Sequence, residues 1–132
     1  MKYLLSFFVL INVGCESQIS NSEIIQQGYF INDNKDRINT YYIYDFVSKE
    51  RIKKHGIQSE NSKGSVTTNF YFSHNGNIPN QKLRYAKTLS DAYKIIGEYS
   101  FYVKYVFDKN SSGEMKFVDC SQIPKDEFCT PN

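Results

Sequence analysis

The sequence predicts an α+β fold, a mostly antiparallel sheet of about five strands with two helices packed on one face. Three observations predict it: several short segments alternate apolar and polar residues, two segments repeat apolar residues at helical spacing, and hairpin turns stand near both ends. The expected element order is ββαβαββ.

Tyr29-Phe30-Ile31 begins a first short strand, Asp33-Asn34-Lys35-Asp36 supplies turn formers, and Ile38 to Val47 is rich in Tyr, Ile, Thr and Phe. Together they read as a β-hairpin. Ser48 is an N-cap residue ahead of Lys49-Glu50-Arg51-Ile52-Lys53-Lys54-His55, with Gly56 as the terminator of one short helix. After a turn at Lys63-Gly64, Val66, Thr68, Phe70 and Phe72 alternate with Thr67, Asn69, Tyr71 and Ser73, the period of a strand with one buried face.

Asn75-Gly76-Asn77 ends that strand. Pro79-Asn80 opens a second helix, because proline is tolerated in a first turn. Leu83, Ala86, Leu89, Ala92, Tyr93 and Ile96 recur at three- and four-residue steps on one stripe, and Gly97 supplies a C-cap. In the next strand Tyr99, Phe101, Val103, Tyr105 and Phe107 line one face, with Ser100, Tyr102, Lys104, Val106 and Asp108 on the other. Asn110-Ser111-Ser112-Gly113 then turns the chain into a partner strand carrying Met115 and Phe117.

The N-terminus has a different character. Met1-Lys2 is followed by an apolar run from Tyr3 to Ile11, too short to cross a hydrocarbon core as a permanent helix, for which about 20 residues are needed. It fits an export signal better. The run ends at Val13-Gly14-Cys15, which resembles the lipobox of bacterial lipoproteins, although Asn12 stands where that family usually carries an aliphatic residue. The resemblance implies removal of residues 1–14, lipidation of Cys15 and a position at the bacterial cell envelope. In enterobacterial lipoproteins an Asp after the cysteine implies retention at the inner membrane; Glu16 stands there instead, which favours the outer membrane, with a periplasmic location as the alternative. Residues 15–27 would be the lipidated cysteine and a polar tether, and residues 28–132 one α+β domain.

Loss of residues 1–14 removes one lysine and no acid, so the formal charge falls from +2 to +1. Lysine and arginine are interleaved with acids, so there is no basic stripe of the kind nucleic-acid binding uses. Two cysteines then remain, Cys120 and Cys129, and an oxidising envelope would join them. The alternative of a zinc site lacks the close Cys-x-x-Cys spacing and the further ligands zinc takes. A disulfide closing so short a ring is worth on the order of 2.5–3 kcal/mol in the chain-entropy model.

The chain carries eleven tyrosines and ten phenylalanines but no tryptophan. Tyr42, Tyr44, Tyr71 and Tyr102 are candidates for a broad half-polar recognition surface on the sheet face opposite the helices; cross-strand packing explains them equally well. From Asp108 to Asp119 the chain resembles an EF-hand calcium loop, with Asp108, Asn110 and Ser112 at the first, third and fifth places, Gly113 sixth and Asp119 twelfth. A strand precedes it where that family has a helix, and such turns also close ordinary hairpins. The two histidines, His55 and His74, belong to no recognisable ligand or nucleophile pattern. His55 also suits a helix C-terminus by its charge alone.

No cofactor is expected. The expectation is an exported, non-enzymatic protein-binding module, similar in general character to periplasmic inhibitors and immunity proteins. The alternatives are an assembly lipoprotein of an envelope or secretion complex and, further off, a small hydrolase.

Overall fold

A computed structural model describes residues 23–74 and 80–130. The export signal, Cys15 and most of the expected tether lie outside them. The described chain forms a five-stranded mixed sheet with strands in sequence order, β1 (Ile24–Ile31), β2 (Arg37–Ile43), β3 (Thr67–Ser73), β4 (Val103–Lys109) and β5 (Met115–Asp119). β2 and β3 run parallel, and the other three pairings are antiparallel. The α+β class, the strand number and the hairpins near both ends are as expected.

Helix α1 (Lys49–Gln58) crosses from β2 to β3, while α2 (Asn80–Leu83) and α3 (Leu89–Gly97) lie between β3 and β4. They do not share a face. Ile52 of α1 packs with Tyr41, Ile43, Tyr71 and Phe107. Ala92 and Ile96 of α3 pack with Ile38, Phe70, Phe72 and Val106 on the opposite side. The reason is in β3, where every residue from Thr67 to Phe72 is buried. A strand apolar on both sides must be covered on both sides.

Four further local expectations are corrected. The chain is already strand at Ile24, paired with Ile43, so the first strand begins well before the expected Tyr29. Gly56 does not end α1, which continues to Gln58; a Cβ there would stand 2.4 Å from Phe107 Cγ, so glycine is what lets the helix approach β4. Ser48 caps α1 as expected, its hydroxyl accepting from Arg51 N.

The helix expected from Pro79-Asn80 to Gly97 is interrupted. Thr88 adopts an extended conformation and its hydroxyl accepts from Asp91 N at 3.0 Å, starting α3 afresh. The stripe still holds, since Leu83, Ala86, Leu89, Ala92, Tyr93 and Ile96 all join one core. Finally, Ser100–Tyr102 is a 3-10 turn and β4 begins at Val103. Phe72 pairs with Val103 but Tyr71 pairs with Tyr105, so Lys104 is an extra residue, a bulge that puts Val103 and Tyr105 on opposite faces.

Cys120 and Cys129 are joined, with 5.6 Å between Cα atoms. The bridge folds the C-terminal segment under β5, where both sulfurs and Phe128 extend the α3-side core. No helix among the described residues is long and apolar enough to cross a membrane.

Candidate functional site

The four tyrosines do not assemble into one surface, because both sheet faces carry a helix. Tyr71 is wholly buried under α1, and Tyr42 and Tyr102 pack against the α3-side core. Tyr44 lies just beyond β2, its ring 5.6 Å from Phe46 and 5.0 Å from His74. The calcium-like residues do not converge either, and no metal-holding cluster of His, Cys, Asp or Glu occurs among the described residues. Asp108 is buried on β4 and accepts from Thr68 Oγ1 at 2.7 Å. Burial raises its pKa. Asn110 Oδ1 is occupied by Ser112 and by Glu114 N, closing the hairpin, and Asp119 accepts from Ser121 and pairs with Lys49.

What the fold does present is an open edge. β1 is outermost in the sheet and exposes Ile25, Tyr29 and Ile31. Its ladder is interrupted once, by a bulge between Gln26 and Gly28, after which Gly28 to Ile31 pair regularly with Thr40 to Arg37. Concavities flank this strand on both sides. On the α3 side a groove of about 630 Å³ runs along Gln26 to Ile31 and is walled by Leu83, Arg84 and Ala86. On the α1 side, two smaller hollows of about 150 and 370 Å³ share Arg37 and Glu60.

Arg37 is the fixed point of that second side. Its guanidinium carbon lies 4.9 Å above the Tyr29 ring, and its Nε donates to Asn39 Oδ1 at 2.9 Å. From there a chain of hydrogen bonds enters the core. Asn39 Nδ2 donates to Asn69 Oδ1 at 2.9 Å across the parallel pair, and Asn69 Nδ2 donates to Ser59 Oγ and to the Tyr71 hydroxyl. Ser59 Oγ in turn donates to His55 O. The Tyr71 hydroxyl also hydrogen-bonds with His55 Nδ1, 2.9 Å away.

This network holds α1 to the sheet and sets the side chains of the hollow; it is not arranged as an acid-base pair. Burial pushes the Tyr71 and Tyr41 hydroxyls up, away from neutrality. Burial, and then the charge of Arg51, pushes His55 down. His55 and His74 stand in separate clusters and neither lines the grooves beside β1.

The depressed His55 pKa carries a pH dependence with a definite sign. The unfolded chain takes up this proton near pH ~6.5, and the folded chain only at lower pH. The stabilisation is thus complete above that value and is lost as pH falls through the folded pKa. Urea midpoints measured between about pH 5 and about pH 7.5 should rise with pH more steeply for the native chain than for His55→Gln, whose amide can still accept from Tyr71. Parallel profiles would show that His55 does not titrate differently on folding.

No protein-family model, curated protein or solved structure matches this chain. The β1 edge and its hollows were invisible from the sequence, because they depend on which strand is outermost. The available signal was Tyr29 and Ile31 alternating beside Arg37, apolar residues in a strand with no further strand beyond it among the described residues.

Proposed function

We propose that this chain is a non-enzymatic protein-binding module of the bacterial envelope, held by a lipid on Cys15, which takes an extended segment of its partner along β1. The observation that carries the reading is the outer edge of β1, which no strand among the described residues pairs, with Tyr29 and Ile31 at 55% and 43% exposure and a groove on either side. A sheet edge offers a row of backbone donors and acceptors to a further strand, and flanking hollows can take its alternate side chains. Arg84 lines the groove beside it, is exposed and makes no ion pair or hydrogen bond among the described residues, which favours a segment bearing acidic side chains. The Cys120–Cys129 bridge supports the envelope part, since disulfides persist in oxidising compartments.

The native chain should capture one envelope or secreted protein at about 1:1. Tyr29→Glu combined with Ile31→Glu should lower that affinity by at least about tenfold, equivalent to ~1.4 kcal/mol, with the fold retained by circular dichroism. Undiminished capture by the double variant would remove β1 from the interface. Failure of the native chain to capture any protein would remove the binding reading.

A further inference from the structure

We infer that the end of the sheet from which residue 23 emerges rests on the lipid bilayer, with Phe46 and Phe101 entering its interfacial layer. The inference builds on the lipid anchor proposed above. β2 and β3 end where β4 begins, as the pairings Ile43 with Ser73 and Phe72 with Val103 require, and Ile24 at the start of β1 pairs with Ile43 at the same end. The exit point of the N-terminal segment and the loops bearing Phe46 and Phe101 therefore share one end of the molecule.

Phe46 is 71% exposed and Phe101 92% exposed. Aromatic side chains so open to water on two adjoining loops are apolar surface awaiting an occupant. The occupant is indicated by chain length: Cys15 stands only eight positions before Glu23, a span of at most about 29 Å even when fully extended. A lipid on Cys15 would thus tether the domain to the bilayer through this end. Charge at this end is balanced by ion pairs between elements, Glu23 with Arg51, Asp45 with Lys104 and Asp119 with Lys49. Ring burial rather than attraction to anionic headgroups is then the holding force, and contact should depend little on salt.

The chain has no tryptophan, so Phe46→Trp, Phe101→Trp and the control Met115→Trp each report one position alone. Met115 is 50% exposed and opens β5 at the opposite end of the sheet, paired with Lys109. Each full-length variant, expressed and processed in cells, is reconstituted on phosphatidylcholine vesicles with and without dibrominated acyl chains. Intact mass reports the lipid on Cys15 independently. At positions 46 and 101 the emission should shift to the blue and lose at least half its intensity to bromine, in low and high salt alike, while position 115 stays at its aqueous value. With the lipid present, equal and aqueous emission at all three positions overturns the inference and leaves the anchor standing. Quenching at 46 and 101 in a chain that carries no lipid upholds the inference and overturns the anchor. Absence of both lipid and quenching overturns both.

Discussion

Asn69→Ala is expected to destabilise the domain by about 3 kcal/mol, far more than the loss of one exposed amide. Asn69 is wholly buried on β3 and holds three partners at once: it accepts from Asn39 and donates to Ser59 and Tyr71. Truncation leaves Ser59 and Tyr71 with their other partners, His55 O and His55 Nδ1. Asn39 fares worse, because its Nδ2 donates only to Asn69 among the described residues and is left buried and unpaired. An orphaned buried donor costs about 1–3 kcal/mol, and the space vacated by the amide adds to it.

Removing both amides should be less harmful than the sum of the separate losses. In Asn39→Ala the orphan is Asn69 Oδ1; with both changed, neither side of the pair is left without its partner, and only Arg37 Nε and Gln26 Nε2 lose an acceptor. Those two line the open hollow, where water can replace it. A double-mutant cycle by urea unfolding should therefore give a coupling of about 1–2 kcal/mol. Strict additivity would show that the amides act independently, and that the bond does not bind β2 to β3.

The same pair shows what was legible in the sequence and what was not. Asn69 stands between Thr68 and Phe70 in a strand whose alternation is plain, yet asparagine reads locally as a turn former. Its partner lies 30 residues away on a parallel neighbour, in register with it, and no local pattern conveys that. The two-residue period located β2 to β5 well but misled on faces. Tyr71 is as apolar in bulk as Phe70 and Phe72, so alternation could not reveal that both sides of β3 are covered. At β4, one extra residue at Lys104 transfers Val103 to the other face, and a strict period cannot register an insertion. Gln26 and Gln27 concealed the first half of β1, because an edge strand tolerates polar residues that a central strand would not. The disulfide was legible because the expected export signal sets Cys15 aside and the other two cysteines stand close in sequence.

Gly56→Ala should destabilise the fold by about 2 kcal/mol although it replaces glycine with the best helix former inside a helix. The propensity gain is about 1 kcal/mol. Against it, the new Cβ would stand 2.4 and 2.6 Å from Phe107 Cγ and Cδ2, and 2.9 Å from Phe107 Cβ. Rotating the ring relieves the first two contacts but not the third, which belongs to an atom fixed by the β4 backbone. Phe107 is itself 2% exposed and enclosed by Tyr41, Val47, Ile52 and Tyr71, so the ring has nowhere to turn. Overpacking of this kind typically costs about 1–3 kcal/mol, and here both the backbone and the neighbours resist relaxation. The separation of α1 from β4 is the quantity at stake, and it predicts coupling between the two positions. Phe107→Ala alone should cost about 3–5 kcal/mol by opening a cavity. In that background Gly56→Ala should cost clearly less than in the native chain, since the two ring contacts are gone and only the 2.9 Å approach to the Cβ at position 107 remains. Equal losses from Gly56→Ala in both backgrounds, read from urea midpoints at constant m, would mean that glycine is needed at this position for some reason other than the approach to Phe107.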